Sequence, residues 1–267
     1  MMKISVPLLS LFILLSTPGP ACAENEDAPC TYADTLKMVS CGNRPLSSID
    51  TTTSGCLIAH YLQRYISYTL EHGASCSASV ALMTKRYESF ADPQVWRIDC
   101  SKVQWLGDSA APVSVIMYVS MSCPHCKQVY KQLYDTLYAN RSLMKHCRLG
   151  IKYRSDTKYD KVLAAAAIFG KQPAFMRRCA DVTGRIGDNE VKRVAGMISI
   201  PFDTLQEAAY RKETILDVKT SKAEAIDNGV EFTPAIFVNG HKYLSTKSAD
   251  WILDAVTYYE ALAIPKK

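Results

Sequence analysis

Two cysteines separated by two residues, Cys123-Pro124-His125-Cys126, stand at the junction of a strand-like run and a helix-like pattern, and this constrains the chain most. Upstream, Val113-Ser114-Val115-Ile116-Met117-Tyr118-Val119 is nearly unbroken in β-branched, aromatic and other apolar residues, as a central strand covered on both faces requires. Downstream, from Lys127 to Ala139, Val129, Tyr130, Leu133, Leu137 and Tyr138 follow the helical period. The strand therefore delivers the chain to Cys123 just ahead of a helix, with Cys126 in its first turn.

That placement suits thiol-disulfide exchange. The attacking species is a thiolate, so one sulfur must carry negative charge at working pH. Free N–H groups and the positive end of the helix dipole favour an anion there, and such cysteines reach pKa values of roughly 3.5 to 7.5. His125, if turned to the sulfur, adds donors or positive charge, and Cys126 would be the resolving thiol. An inert staple is the plainer alternative, but ordinary disulfides rarely join residues this close at a helix start. A structural zinc site usually needs a second close pair of Cys or His, which the dispersed remaining cysteines do not supply. No metal or cofactor is expected.

The N-terminus, residues 1–23, reads as a cleaved secretory signal: Lys3 is the only early charge, an apolar run spans Val6 to Leu15, and Ala21-Cys22-Ala23 offers small residues for cleavage. The run falls short of the roughly 20 apolar residues that cross a bilayer. Gly19 stands where a lipoprotein signal would carry a branched aliphatic residue before Cys22. Cleavage would lower the formal charge from +5 to +4, and no basic stripe is interleaved with stacking aromatics, so nucleic acid is not an expected partner. An exported protein in the periplasm or another extracytoplasmic space is expected, and export makes disulfides the default state of its nine remaining cysteines.

The patterning divides the mature chain at Asp92-Pro93. Residues 24–93 read as a small helical region, with helices from Pro29 to Ser40, from Leu57 to Leu70 and from Ser79 to Phe90. Its core is small, and Cys30, Cys41, Cys56 and Cys76 could staple it in any of three connectivities. Residues 94–267 form the second region. A short strand is expected around Val95, Trp96 and Ile98, another from Arg148 to Tyr153, and helices over about 158–228. Ala235-Ile236-Phe237-Val238, Asn239-Gly240 and Lys242-Tyr243-Leu244 spell a hairpin with a type I′ turn, and Ser248 to Ala263 an amphipathic helix. Cys147 and Cys179 are expected to form a structural bridge between sheet and helical segment. Seven cysteines outside the active pair cannot all pair within one chain, and Cys100, at the junction, is the expected odd thiol. His60, His72, His146 and His241 stand alone and read as surface or core residues.

Three stretches give the chain a family resemblance. Gly107-Asp108-Ser109-Ala110-Ala111-Pro112-Val113 resembles the entry to the catalytic strand of DsbA-like thiol-disulfide oxidoreductases, within the thioredoxin superfamily. Cys-Pro-His-Cys is the motif typical of DsbA, and Phe232-Thr233-Pro234-Ala235 resembles the segment holding the family's cis-proline. The resemblance covers roughly residues 94–264. It implies an α/β, thioredoxin-like fold with a helical insertion at about 158–228. It also implies Cys123 as nucleophile, Cys126 as resolving thiol, Pro124 and His125 as tuning residues, and Thr233 beside a cis Pro234 as the substrate-pairing segment. One departure stands out: six residues before the nucleophile, where the family commonly buries a carboxylate, this chain has Met117.

The function implied is an oxidase that passes its disulfide to reduced exported proteins and is reset by a membrane redox partner. An isomerase acting on misoxidised proteins is the alternative, favoured by Thr before the proline and by an N-terminal unit that could dimerise. A thioredoxin-fold binding protein with a merely structural cysteine pair is the third reading, and thiol titration separates it from the enzymes.

Overall fold

β3 (Val113–Val119) lies inside a four-stranded sheet, between β4 (Cys147–Tyr153) and β5 (Ala235–Val238), with β6 (His241–Tyr243) beyond β5. The computed structural model describes residues 37–38, 44–45, 48, 57–90, 94–184 and 186–263. β4 runs parallel to β3, in a register that sets Val113 opposite Cys147 and Val119 opposite Tyr153. On the other flank β5 is antiparallel to β3, and β6 returns from it. Asn239 and Gly240 both adopt positive φ, 48° and 84°, as a type I′ turn demands. The Asn239 carboxamide oxygen accepts the Ser114 N–H at 2.7 Å and so ties the hairpin to the central strand.

Side-chain alternation along β3 explains its apolar run. Val113, Val115, Met117 and Val119 enter a large core with helix side chains, whereas Ile116 and Tyr118 enter a second cluster with Ala225, Val230 and Phe237 on the opposite face. α3 (Pro124–Ala139) follows β3 and packs Val129, Tyr130, Leu133 and Leu137 into the first core. Five helices occupy the stretch expected to be helical: α4 (Lys158–Ile168), α5 (Gln172–Cys179), α6 (Asp188–Met197), α7 (Phe202–Ala209) and α8 (Lys212–Asp227). α8 returns to the sheet, where Glu224 pairs with Lys152 of β4 at 2.7 Å and accepts the Tyr118 hydroxyl. α9 (Ala249–Ala263) closes the fold against α3, β3 and β5.

Upstream, α1 (Leu57–Glu71) packs on α2 (Cys76–Phe90) and on α9. Tyr65 and Tyr68 stand edge-on to Trp251 at 4.5 and 4.7 Å, and Arg64 reaches the buried Asp254 at 2.9 Å. α2 starts three residues before the expected Ser79, because the Ser75 hydroxyl accepts the Ala78 N–H at 3.2 Å. No described helix is long and apolar enough to cross a membrane.

Three expectations are corrected. Of the helix expected from Pro29 to Ser40, Lys37–Met38 instead form β1, which pairs antiparallel with β2 (Arg44–Pro45), and the rest of that stretch lies outside the described residues. The strand expected around Val95 to Ile98 is reduced to one bridge from Val95 to His241, since β6 is only three residues long and offers little ladder. The expected bridge between Cys147 and Cys179 is not formed: Cys179 is a free, buried thiol among the described residues. Cys147 opens β4, which packs on β3 and α8, whereas Cys179 ends α5, which packs on α3, α4 and α6. Both residues are buried in the one large apolar core without being joined to each other.

Candidate active site

Cys123 is the N-cap of α3, extended at φ −90° and ψ 113°, with Pro124 in the first helical position. Pro suits that place because its missing N–H would have no intrahelical partner there. The Cys123 sulfur accepts the main-chain N–H of Cys126 at 3.3 Å, as a cap side chain does. Both cysteines are thiols, Cys123 partly exposed and Cys126 wholly buried. The Thr233–Pro234 bond is cis, and the Cys123 sulfur lies 3.4 Å from the Thr233 carbonyl oxygen. Pro124 and His125 are exposed on the rim. His125, Thr233 and Pro234 line one hollow beside the pair, together with Gln128, Val129 and Lys247.

Electrostatics divide the two sulfurs. Cys123 is lowered from 9.0 to about 5, first by the hydrogen bond from Cys126, then by the Thr233 side chain and the main-chain N–H groups of Cys126 and His125, against a burial cost. Cys126 is raised well above the ordinary thiol range, chiefly by burial and then by its bond to Cys123. Its surroundings explain the burial effect: Met117, wholly buried, shares its apolar cluster. The arrangement holds one acidic, accessible sulfur beside one neutral, enclosed sulfur, as directional exchange requires.

Residues that sequence reasoning did not single out hold the loop before Cys123. The Ser120 carbonyl accepts the Cys123 N–H at 2.9 Å, and Asp160, wholly buried, accepts the Met121 N–H at 2.8 Å. The available signal was Thr157-Lys158-Tyr159-Asp160, a capping box opening α4, although nothing local announces its reach across 39 positions to Met121.

The other cysteines stand apart from the site. Cys100 is a partly exposed free thiol, raised mainly by burial, on the sheet face carrying Trp96, Ile98, Val103 and Trp105. Cys179 is pushed up to about 12 by burial. Cys76 is disulfide-bonded, and the other candidate staples, Cys30, Cys41 and Cys56, lie outside the described residues. No cluster of three His, Cys, Asp or Glu side chains among the described residues could hold a metal ion.

A family model described as thioredoxin matches residues 101–256. Among solved structures, a thioredoxin-like oxidoreductase from Silicibacter pomeroyi is 22% identical with a TM-score of 0.50, covering 65% of this chain and 96% of that one. BdbD from Bacillus subtilis is 16% identical at a TM-score of 0.52, covering 62% and 97%. α-DsbA1 from Wolbachia pipientis is 16% identical at 0.51, covering 60% and 92%. At such identities the likeness is one of fold. No curated protein matches the chain.

Proposed function

The chain belongs to the thioredoxin family and has the fold of DsbA-like proteins, and we propose that it is an exported thiol-disulfide oxidoreductase working as a disulfide donor. The observation that carries this reading is the Cys123 sulfur as helix cap, lowered to about 5, beside a buried Cys126 raised above the thiol range. A sulfur of low pKa is a good leaving group, so Cys123 is readily expelled from a mixed disulfide with substrate, and its stable thiolate favours the reduced pair over the Cys123–Cys126 disulfide.

In the oxidised protein a substrate thiolate attacks Cys123 Sγ, the bond to Cys126 Sγ breaks, and Cys126 leaves as a thiolate that takes up a proton. A second substrate thiolate then attacks the substrate sulfur of the mixed disulfide and expels the Cys123 thiolate. The substrate loses two electrons and the pair gains two, which a membrane redox partner would remove. Thr233, ahead of the cis Pro234, would pair with the substrate backbone, with Pro124 and His125 shaping the rim.

The reduction potential tests the direction. A value towards about −120 mV supports a donor of disulfides, and one near about −270 mV a reductant. An isomerase would instead show rescue of scrambled substrates by a multimeric protein. Sequencing the mature N-terminus tests export: a start near Glu24 supports a cleaved signal. An inert native pair in thiol titration would leave only a binding protein.

A further inference from the structure

Asp160 makes more contacts than a helix cap requires. Its Oδ2 accepts from the Ser155 hydroxyl at 2.6 Å, the Thr157 N–H at 2.9 Å and the Thr157 hydroxyl at 2.7 Å. Its Oδ1 is left to a single distant donor, the Met121 N–H at 2.8 Å. A second link runs alongside: the Ser155 and Ser120 hydroxyls are 2.8 Å apart, and the Ser120 oxygen also accepts the Ser122 N–H at 3.3 Å. The segment held in this way, Ser120 to Ser122, has no secondary-structure ladder of its own, since β3 ends at Val119. It nevertheless bears on both sulfur-bearing residues. The Ser120 carbonyl accepts the Cys123 N–H at 2.9 Å, and Met121 shares the buried apolar cluster of Cys126.

We propose that Asp160 is a positioning residue for the cysteine pair, tethering the Ser120–Met121 segment from α4 so that its main chain holds Cys123 and Cys126 in register for exchange. The proposal rests on the reading of that pair as an exchange centre. Every partner of the carboxyl group is a donor, so an acceptor-only side chain satisfies all of them. An amide cannot. With its oxygen turned to the three donors around Oδ2, Asn would set its NH₂ against the Met121 N–H, donor facing donor. Asp160→Asn therefore keeps most of the α4 cap and breaks the tether. Thr157→Val does the converse, removing the cap hydroxyl and sparing the bond to Met121.

The test is rapid-mixing kinetics of the full chain with oxidised glutathione, which separates formation of the mixed disulfide at Cys123 from its resolution by Cys126. Asp160→Asn should slow resolution about tenfold, the scale of one lost buried hydrogen bond with its partner left unpaired, and formation much less. Ser155→Ala, a smaller lesion in the same link, should slow resolution in the same direction and guards against misfolding of the first variant. Thr157→Val should lower thermal stability while resolving at the wild-type rate. Wild-type resolution in both Asp160→Asn and Ser155→Ala would overturn the proposal, as would equal slowing by Thr157→Val, since the effect would then be capping alone. A wild-type protein that forms no mixed disulfide would overturn the exchange reading itself, and this proposal with it.

Discussion

The Cys123 sulfur lies 3.4 Å from the main-chain oxygen of Thr233, 110 positions further along the chain. The contact exists because β5 pairs antiparallel with β3, setting Ala235 opposite Tyr118 and so bringing the residues before β5 to the end of β3. The nucleophile and the cis-proline segment are thus assembled by the sheet.

The Thr233 side chain also favours the thiolate of Cys123. Thr233→Val, which keeps the shape and removes the hydroxyl, should raise the Cys123 pKa above about 5 and slow exchange at acidic pH by roughly tenfold, the scale of a hydrogen bond to a charged group. Thiolate absorbance across a pH titration reads the shift. An unmoved midpoint would assign the low value to the helix terminus and the Cys126 bond alone.

The two cysteines should fail differently. Cys123→Ser removes the accessible sulfur and should abolish exchange, whereas Cys126→Ser leaves the nucleophile and should accumulate mixed disulfides with substrate proteins. Non-reducing electrophoresis after trapping distinguishes them, and equal trapping by both variants would reverse the roles assigned here.

The reduced and oxidised proteins should differ in how their stability depends on pH. A folded-state pKa of about 5 against an ordinary 9.0 means that Cys123 stabilises the reduced fold fully above pH 9.0, with the contribution lost as pH falls through about 5. The raised Cys126 acts oppositely and only above its ordinary 9.0, where its unfolded thiol ionises. Between about pH 5 and 9 the reduced form should therefore gain on the oxidised form as pH rises. Paired urea titrations of the two forms at several pH values measure this, and parallel curves would contradict a depressed Cys123.

Gly150 in β4 leaves room for the segment packed over the sheet. A Cβ there would meet Val103 and lie 2.9 Å from the Trp105 ring and 3.0 Å from Ile116 Cδ1. Gly150→Ala should destabilise the fold by about 1–3 kcal/mol through overpacking. A denaturant midpoint equal to that of the wild type would show that Trp105 and Val103 yield freely.

The readable parts of the sequence were those where local pattern and tertiary role agree. The β3 run, the two cysteines at the start of α3 and the Asn239-Gly240 turn each carry their own signal, because burial on two faces, helix capping and positive φ each demand particular residues. Cys147 and Cys179 carried none: two cysteines in a region suggest a bridge, but pairing depends on which elements meet, and β4 and α5 have different neighbours. Asp160 was not singled out in the sequence: the capping-box pattern at Thr157 offered only a local signal, and its second partner, Met121, is far away in sequence. Likewise the Lys152–Glu224 pair joins β4 to α8 through contacts that no periodicity encodes.

β3 is hydrogen-bonded on both flanks, to β4 along its whole length and to β5 over four residues. The strand that feeds Cys123 therefore has no private route to opening, and its amides can exchange with deuterium only when a neighbouring strand departs. Warming should then leave the acidity of the thiol intact until the sheet itself comes apart, so that loss of reactivity and loss of fold coincide at one temperature.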